Sequence, residues 1–376
     1  MNGVISKLLF PTASRAAGIR SIFTKEYLGL AFLQGKEKEA HAKAGTNAVK
    51  IKDKFLKVYK QRGIKDLKRY HILNFMNFVE GEKDMANLSK VVEDFLAQAG
   101  DLKHNTNLLS SCIQTCYLRG DLKYSRIFSG GAFSQYFDKH PIAVLTHLQS
   151  LYNHGHYQEL VDKYKKLTKV KNAAKMTIVM ASLCKIGTPE AYKQASEFLA
   201  DEFLIPKEVD SGRAIELFAW FSIQMGHYDA ALETLKRKKQ PTNASEKLKS
   251  VKASSKIRKN VILTALVKSG KVDICLSEIS NELKKYSKFG YIPMYSYELL
   301  GEIAKAVKHD EKLTQMYKEL PNDLEEKGKM DSATVEELVF RPISASPHSI
   351  SSDKSFYDFN VDPTCVKKLD SKDLFD

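Results

Sequence analysis

Residues Phe221–Leu235 read FSIQMGHYDAALETL. An apolar run closes at Met225, Gly226 follows it, and a second run opens at Tyr228. Helices often end on a residue in the left-handed conformation, which glycine adopts without a side-chain clash. Beyond the glycine, Tyr228, Ala231, Leu232 and Leu235 fall at i, i+3, i+4 and i+7, which is one stripe of a helix. The stretch therefore predicts two antiparallel helices joined by a tight turn.

The same grammar recurs on both sides of it. Cys116–Phe128 reads CYLRGDLKYSRIF, Leu151–Tyr164 reads LYNHGHYQELVDKY, Leu183–Phe198 reads LCKIGTPEAYKQASEF, and Leu266–Ile279 reads LVKSGKVDICLSEI. Gly120, Gly155, Gly187, Gly226 and Gly270 stand at intervals of 35, 32, 39 and 44 residues, with a weaker copy around Gly81. Tyr157, Leu160, Val161 and Tyr164 repeat the helical stripe after Gly155. One helical pair has too little apolar area to stand alone, so neighbouring pairs must cover one another. The expectation is an all-α chain, an α-α superhelix or solenoid of degenerate helical hairpins with one concave face.

Few residues of this chain oppose helices: ten prolines and nineteen glycines in 376 residues. Its 59 Lys and Arg against 45 Asp and Glu leave a net charge of +14. That sign favours polyanionic partners, because each neutralised phosphate releases condensed counterions; a basic ribosomal protein carries the same signature. Cys112, Cys116, Cys184, Cys275 and Cys365 have no disulfide-framework spacing, which fits buried thiols in a reducing compartment. No run of 18 apolar residues is present, so no membrane span is expected. Residues 1–25 contain Lys7, Arg15, Arg20 and Lys25 and no acid, with Leu8, Leu9, Phe10, Ile19, Ile22 and Phe23 between them. This is the pattern of a mitochondrial transit peptide, implying the matrix as destination.

The repeat unit is compatible with two helical-hairpin families. The tetratricopeptide unit expects a Trp, a Leu-Gly pair and a terminal Pro, and the single Trp220 stands in no such pattern. LCKIG and LVKSG, with AYKQASEF and YDAALETL after their glycines, resemble the first-helix ending and second helix of the pentatricopeptide repeat (PPR). Outside the repeats, FLQGKEKEAHAKAG (32–45), DKFLKVYK (53–60), SKFGYIPMYSYELLGEIAKAV (287–307) and MDSATVEELVFRPIS (330–344) resemble the mitochondrial pentatricopeptide repeat-containing protein 2 family. The resemblance implies a mitochondrial RNA-associated protein concerned with messenger RNA processing. The chain is accordingly divided into a helical leader over 26–63, a PPR-like solenoid over 64–320 and a C-terminal segment over 321–376, which its wealth of Ser and scarcity of apolar residues mark as a largely disordered tail.

In such arrays one repeat addresses about one base through two or three side chains. Carried onto this sequence, the first reading position falls at Ser110, Leu145, Thr177, Glu216 and Asn260. Ser110, Thr177 and Asn260 have the donors and acceptors to read a base edge, whereas Leu145 and Glu216 depart from the pattern. The second position falls near His140, Asn172, Ser211 and Ser255. Charge is concentrated beside them. Between 236 and 259 stand Lys236, Arg237, Lys238, Lys239, Lys247, Lys249, Lys252, Lys256, Arg258 and Lys259, opposed only by Glu246. QPTNASEKLKS in its middle reads as an exposed insertion that would clamp a phosphate backbone. A second basic stretch holds Lys163, Lys165, Lys166, Lys169, Lys171 and Lys175 against Asp162.

Other chemistry is thin. Cys112 and Cys116 stand one helical turn apart with no second ligand pair, so packing is expected of them and no metal. His147, His154 and His156 read as polar turn residues. No phosphate loop, GxSxG, HExxH or dinucleotide fingerprint is present. The expected function is non-enzymatic and cofactor-free. The chain would hold single-stranded mitochondrial RNA, messenger RNA precursors, for processing, maturation or stability, with a separate nuclease or the mitoribosome as partner. The alternative is a structural subunit of the mitochondrial small ribosomal subunit, or a protein scaffold.

Overall fold

A computed structural model describes residues 21–98, 102–167, 173–203, 212–236, 244–289 and 293–344. The protein is all-α. Its helices are α1 (Leu30–Ala44), α2 (Ala48–Arg62), α3 (Arg69–Met76), α4 (Glu82–Gln98), α5 (Leu102–Arg119), α6 (Leu122–Phe128), α7 (Ser134–Phe137), α8 (Pro141–Asn153), α9 (Tyr157–Lys166) and α10 (Ala173–Ile186). They continue with α11 (Pro189–Phe203), α12 (Gly212–Gln224), α13 (Tyr228–Lys236), α14 (Ala244–Lys268), α15 (Val272–Phe289), α16 (Tyr297–Val307), α17 (Glu311–Tyr317), α18 (Leu320–Glu326) and α19 (Val335–Val339). The short strands β1 (Tyr295–Ser296) and β2 (Met330–Asp331) pair in parallel.

The punctuating glycines act as expected. Gly155 and Gly226 adopt φ of +77° and +79°, and Gly120, Gly187 and Gly270 share that left-handed region. Each ends the first helix of a pair and lets the second return against it. Gly81 does not belong with them: it lies just ahead of α4, and its carbonyl accepts the Met85 N–H. The first helices α5, α8, α10, α12, α14 and α16 then stack side by side, each against the next, in one layer. The second helices α6, α9, α11, α13 and α15 each pack against the first helices before and after them.

The first helices α8 and α10 are wrapped almost completely. In α8 every residue from Ala143 to Tyr152 is buried, and in α10 every residue from Ala174 to Cys184. The cover comes from the chain's own ends. Ile22 and Phe23 both donate backbone N–H groups to Gln149 Oε1 on α8, each at 3.1 Å. Gln114 on α5 donates to the Leu28 carbonyl at 2.8 Å. From the other end, the Leu338 and Val339 carbonyls accept from Arg213 on α12 at 3.1 and 2.9 Å, and Glu336 pairs with Lys185 on α10 at 2.7 Å. The two straps meet: Ile343 N–H donates to Ile22 O at 2.8 Å, and Thr24 N–H donates to Ile343 O at 3.0 Å.

These contacts correct two expected boundaries. The expected transit segment overlaps the fold at its end, because Ile22 and Phe23 are core residues; residues 1–20 lie outside the described residues. The expected tail overlaps it too. Residues 320–344 form α18, β2, α19 and a strap whose Val335, Leu338, Val339 and Phe340 are buried, while 345–376 lie outside the described residues. The apolar spacing of Val335, Leu338 and Val339 after the capping box at Thr334 and Glu337 carried that signal.

Candidate nucleic-acid interface

The first-position row is present as a geometric row and closed as a surface. Ser110, Leu145, Thr177, Glu216 and Asn260 stand on successive first helices, and all are buried. Ser110 and Thr177 are each only 3 % exposed, and Asn260 is 0 % exposed. The strap contacts at Gln114, Gln149 and Arg213 lie one helical turn from Ser110, Leu145 and Glu216. The straps therefore lie against the first helices beside Ser110, Leu145 and Glu216, and β1 covers Asn260.

Thr177, Asn260 and Glu216 of the row already have partners within the protein. Thr177 Oγ1 donates to the Ala173 carbonyl at 2.8 Å, back along its own helix. Asn260 donates to the Lys256 and Met294 carbonyls at 2.8 and 2.9 Å, and its Oδ1 accepts the Ser296 N–H at 2.9 Å. It thereby pins β1 to α14. Glu216 faces Arg213 at 3.8 Å. Base reading by Ser110, Thr177 and Asn260 is thus corrected to core structure. A buried amide with satisfied bonds has none left for a base edge.

Of the second positions, His140 is the N-cap of α8. Its Nδ1 accepts the Ala143 N–H at 3.3 Å, and its Nε2 lies 3.2 Å from Asn107 Oδ1. Burial pushes its pKa down to about 4, with its own backbone bond opposing. Asn172 and Ser211 lie outside the described residues, and so do Arg237, Lys238 and Lys239. Ser255 lies on α14.

The basic stretch divides in two. From Ala244 onward it is the first part of one continuous helix, α14, rather than a polar insertion loop. Three of its cations are committed within the protein. Lys256 pairs with Asp331 on β2. Arg258 donates from Nε to the Leu235 carbonyl at 3.1 Å, at the end of α13. Lys259 reaches Glu278 at 2.6 Å and Glu282 at 3.6 Å on α15. Burial alone would raise the Asp331 pKa, but Lys256 and the Ala333 N–H hold it below the ordinary carboxylate range. Lys256, Arg258 and Lys259 are corrected from phosphate contacts to fasteners between α14 and its neighbours. Lys236, the last residue of α13, is exposed.

The second basic stretch splits likewise. Lys165 and Lys166 are exposed, whereas Lys163 donates to the Ser129 carbonyl at 2.5 Å and lies over the Phe137 ring. Burial lowers the pKa of Lys163 and of Lys175, with Asp138 opposing the shift in both. His147 is a core residue rather than a turn residue, at 1 % exposure. Ser129 Oγ donates to the Arg126 carbonyl, so it accepts from His147 Nε2–H, 3.1 Å away. Nδ1 then accepts from Ser125 Oγ at 2.8 Å. Burial holds the pKa of this neutral ring down to about 3, with Lys163 and Arg126 adding to it.

Cys112, Cys116, Cys184 and Cys275 are free, buried thiols whose pKa burial raises, in Cys275 to about 12. Among the described residues no group of three or more His, Cys, Asp or Glu is placed to hold a metal ion. No described helix is long and apolar enough to cross a membrane.

A cationic surface that the repeat-centred reading overlooked lies on α2. Lys50, Lys54, Lys57 and Lys60 are all exposed, and the sequence already shows them at helical spacing. No family model matches the chain. No curated protein matches it either.

Proposed function

We propose that this chain is a mitochondrial, non-catalytic, RNA-binding helical-repeat protein of the pentatricopeptide type that acts in the processing, maturation or stability of messenger RNA precursors. It engages RNA through phosphates on its basic outer surface and leaves base recognition to a partner such as the processing nuclease. The observation that carries this reading is the combination of stacked first helices closed by the terminal straps with a net charge of +14. With the first-helix row filled by protein, exposed cations are the groups left to meet a polyanion, and phosphate contact is the part of nucleic-acid binding that needs no base edge.

Crosslinking the protein to RNA in isolated mitochondria, followed by sequencing of the bound fragments, tests it. Enrichment at messenger RNA precursors supports the reading, and an absence of crosslinked RNA ends it. A second reading follows from the burial of Ser110, Thr177 and Asn260, which suits a structural subunit or scaffold. Such a subunit of the mitochondrial small ribosomal subunit would co-sediment with it after a high-salt wash and crosslink to ribosomal RNA alone.

A further inference from the structure

Helix α2 carries four exposed lysines on one side. In α2, Lys50, Lys54, Lys57 and Lys60 follow one another at i+4, i+3 and i+3, so they line one face of the helix. All four are exposed, and Asp53 is the single acid interleaved with them. The opposite face is committed to the protein. Phe55 stacks on Phe75 of α3 with ring centroids 4.5 Å apart, Tyr59 donates to Asp94 of α4, and Lys52 pairs with Asp84 and Glu80 at 2.9 and 3.1 Å.

Arg62 closes α2, and the exposed Lys65 and Lys68 follow it in sequence before Tyr70, the second residue of α3. Asp66 pairs with Arg62 at 3.7 Å. Tyr70 is 49 % exposed, and its ring lies against the His71 ring at a centroid distance of 4.0 Å. Like charges three and four residues apart repel each other on a helix, and one acid, Asp53, shares this face with four lysines. A polyanion laid along the face relieves the remaining repulsion.

We infer that the α2–α3 hairpin is the surface that grips single-stranded RNA. Lys50, Lys54, Lys57 and Lys60 take successive phosphates, and Tyr70 offers an exposed ring on which an unpaired base stacks. Four helical residues span about 6 Å, a step that suits neighbouring phosphates of an extended strand. Cations tracking a backbone beside an exposed aromatic ring are the two elements of sequence-tolerant single-strand binding. A membrane surface fits less well, because interfacial helices bury an apolar face in lipid, and Phe55, Leu56, Val58 and Tyr59 of α2 pack against the protein's own core. The inference rests on the RNA-binding reading above and gives it a location.

The test is the affinity of the full chain for a labelled, unstructured RNA across a salt titration. K50E/K54E/K57E is compared with the charge-matched control K308E/K312E/K318E, which alters exposed lysines at the other end of the protein. The α2 variant should bind at least ten-fold more weakly, with its salt slope reduced by about two, while the control stays within about two-fold of the unaltered protein. Tyr70→Ala should weaken single-stranded binding about ten-fold and leave duplex binding unchanged. The neutral triple K50Q/K54Q/K57Q, with circular dichroism of every variant, separates lost contact from lost folding. If the unaltered protein binds no RNA, the proposed function itself fails. If it binds and the α2 and control variants weaken equally, or neither weakens, the location is wrong. Loss of binding to anionic phospholipid vesicles in the α2 variant, with RNA affinity unchanged, would overturn it in favour of a membrane surface.

Discussion

Phe23 and Ile343 are neighbours, joined by a parallel bridge from opposite ends of the described chain. Around them the Ile22 carbonyl accepts from Ile343 N–H, and the Ile343 carbonyl accepts from Thr24 N–H. Gln149 anchors the pair to α8 by accepting two adjacent backbone N–H groups with one oxygen.

Gln149→Ala removes that acceptor and strands two buried donors. The expected loss is about 2–6 kcal/mol of stability, from about 1–3 kcal/mol for each unmet group. Urea midpoints measure the total. Amide hydrogen exchange should show residues 22–28 and 338–343 loosening together, and unchanged protection in the second group would mean that the straps are independent.

Asn260→Ala separates structure from recognition. It leaves the buried Ser296 N–H without its acceptor and frees β1 from α14. Stability should fall by about 1–3 kcal/mol, with no change in the protein's preference among RNA homopolymers. A switch in base preference without a loss of stability would restore this side chain as a reader.

Lys256 and Lys236 belong to the same basic stretch and should behave differently. Lys256→Met breaks a mostly buried pair with Asp331 and leaves that carboxylate the Ala333 N–H and the more distant Arg341, 3.5 Å away, which should cost about 1–3 kcal/mol. Lys236→Met alters an exposed side chain and should change stability by less than about 0.5 kcal/mol. Thermal melts of the two variants side by side decide the matter.

Acid should loosen the protein before its carboxylates titrate. The folded pKa values of His147 and His140 are held down, to about 3 and about 4, mainly by burial. The unfolded chain therefore binds more protons than the folded one from roughly pH 6.5 downward. Stability is complete above that value and falls as pH drops toward the folded pKa values, by up to about 1.4 kcal/mol per pH unit for each ring. Urea midpoints from pH 7 to pH 5 should trace this slope, and His147→Gln should flatten it.

Gly226→Ala probes a turn at which only the backbone is at stake. No heavy atom lies within 4 Å of where the new methyl group would sit, so the cost is that of φ +79° alone. About 1–2 kcal/mol is expected, and Gly226→Asn should recover part of it, because asparagine tolerates that region better.

The hairpins were legible because glycine is nearly irreplaceable at a left-handed helix end, and Gly120, Gly155, Gly187, Gly226 and Gly270 all serve there. The closed first-helix row was harder to read, because it depends on segments far away in the sequence. One local signal did point to it. Met176, Ile178, Val179, Met180 and Ala181 place apolar residues on every side of α10, and a helix apolar all round is a buried helix. The fastening of Lys256, Arg258 and Lys259 had no such signal, since their partners Asp331, Leu235 and Glu278 are met only in three dimensions. The α2 stripe is visible in the sequence as lysines at helical spacing, outside the glycine-marked repeats.

The meeting of the two straps fixes how many hairpins the protein can have. An open array of repeats tolerates insertion or loss of a unit, because each unit touches only its neighbours. Here a duplicated or deleted hairpin would draw Phe23 and Ile343 out of register. Repeat number, free to drift in an open array, is locked in this chain.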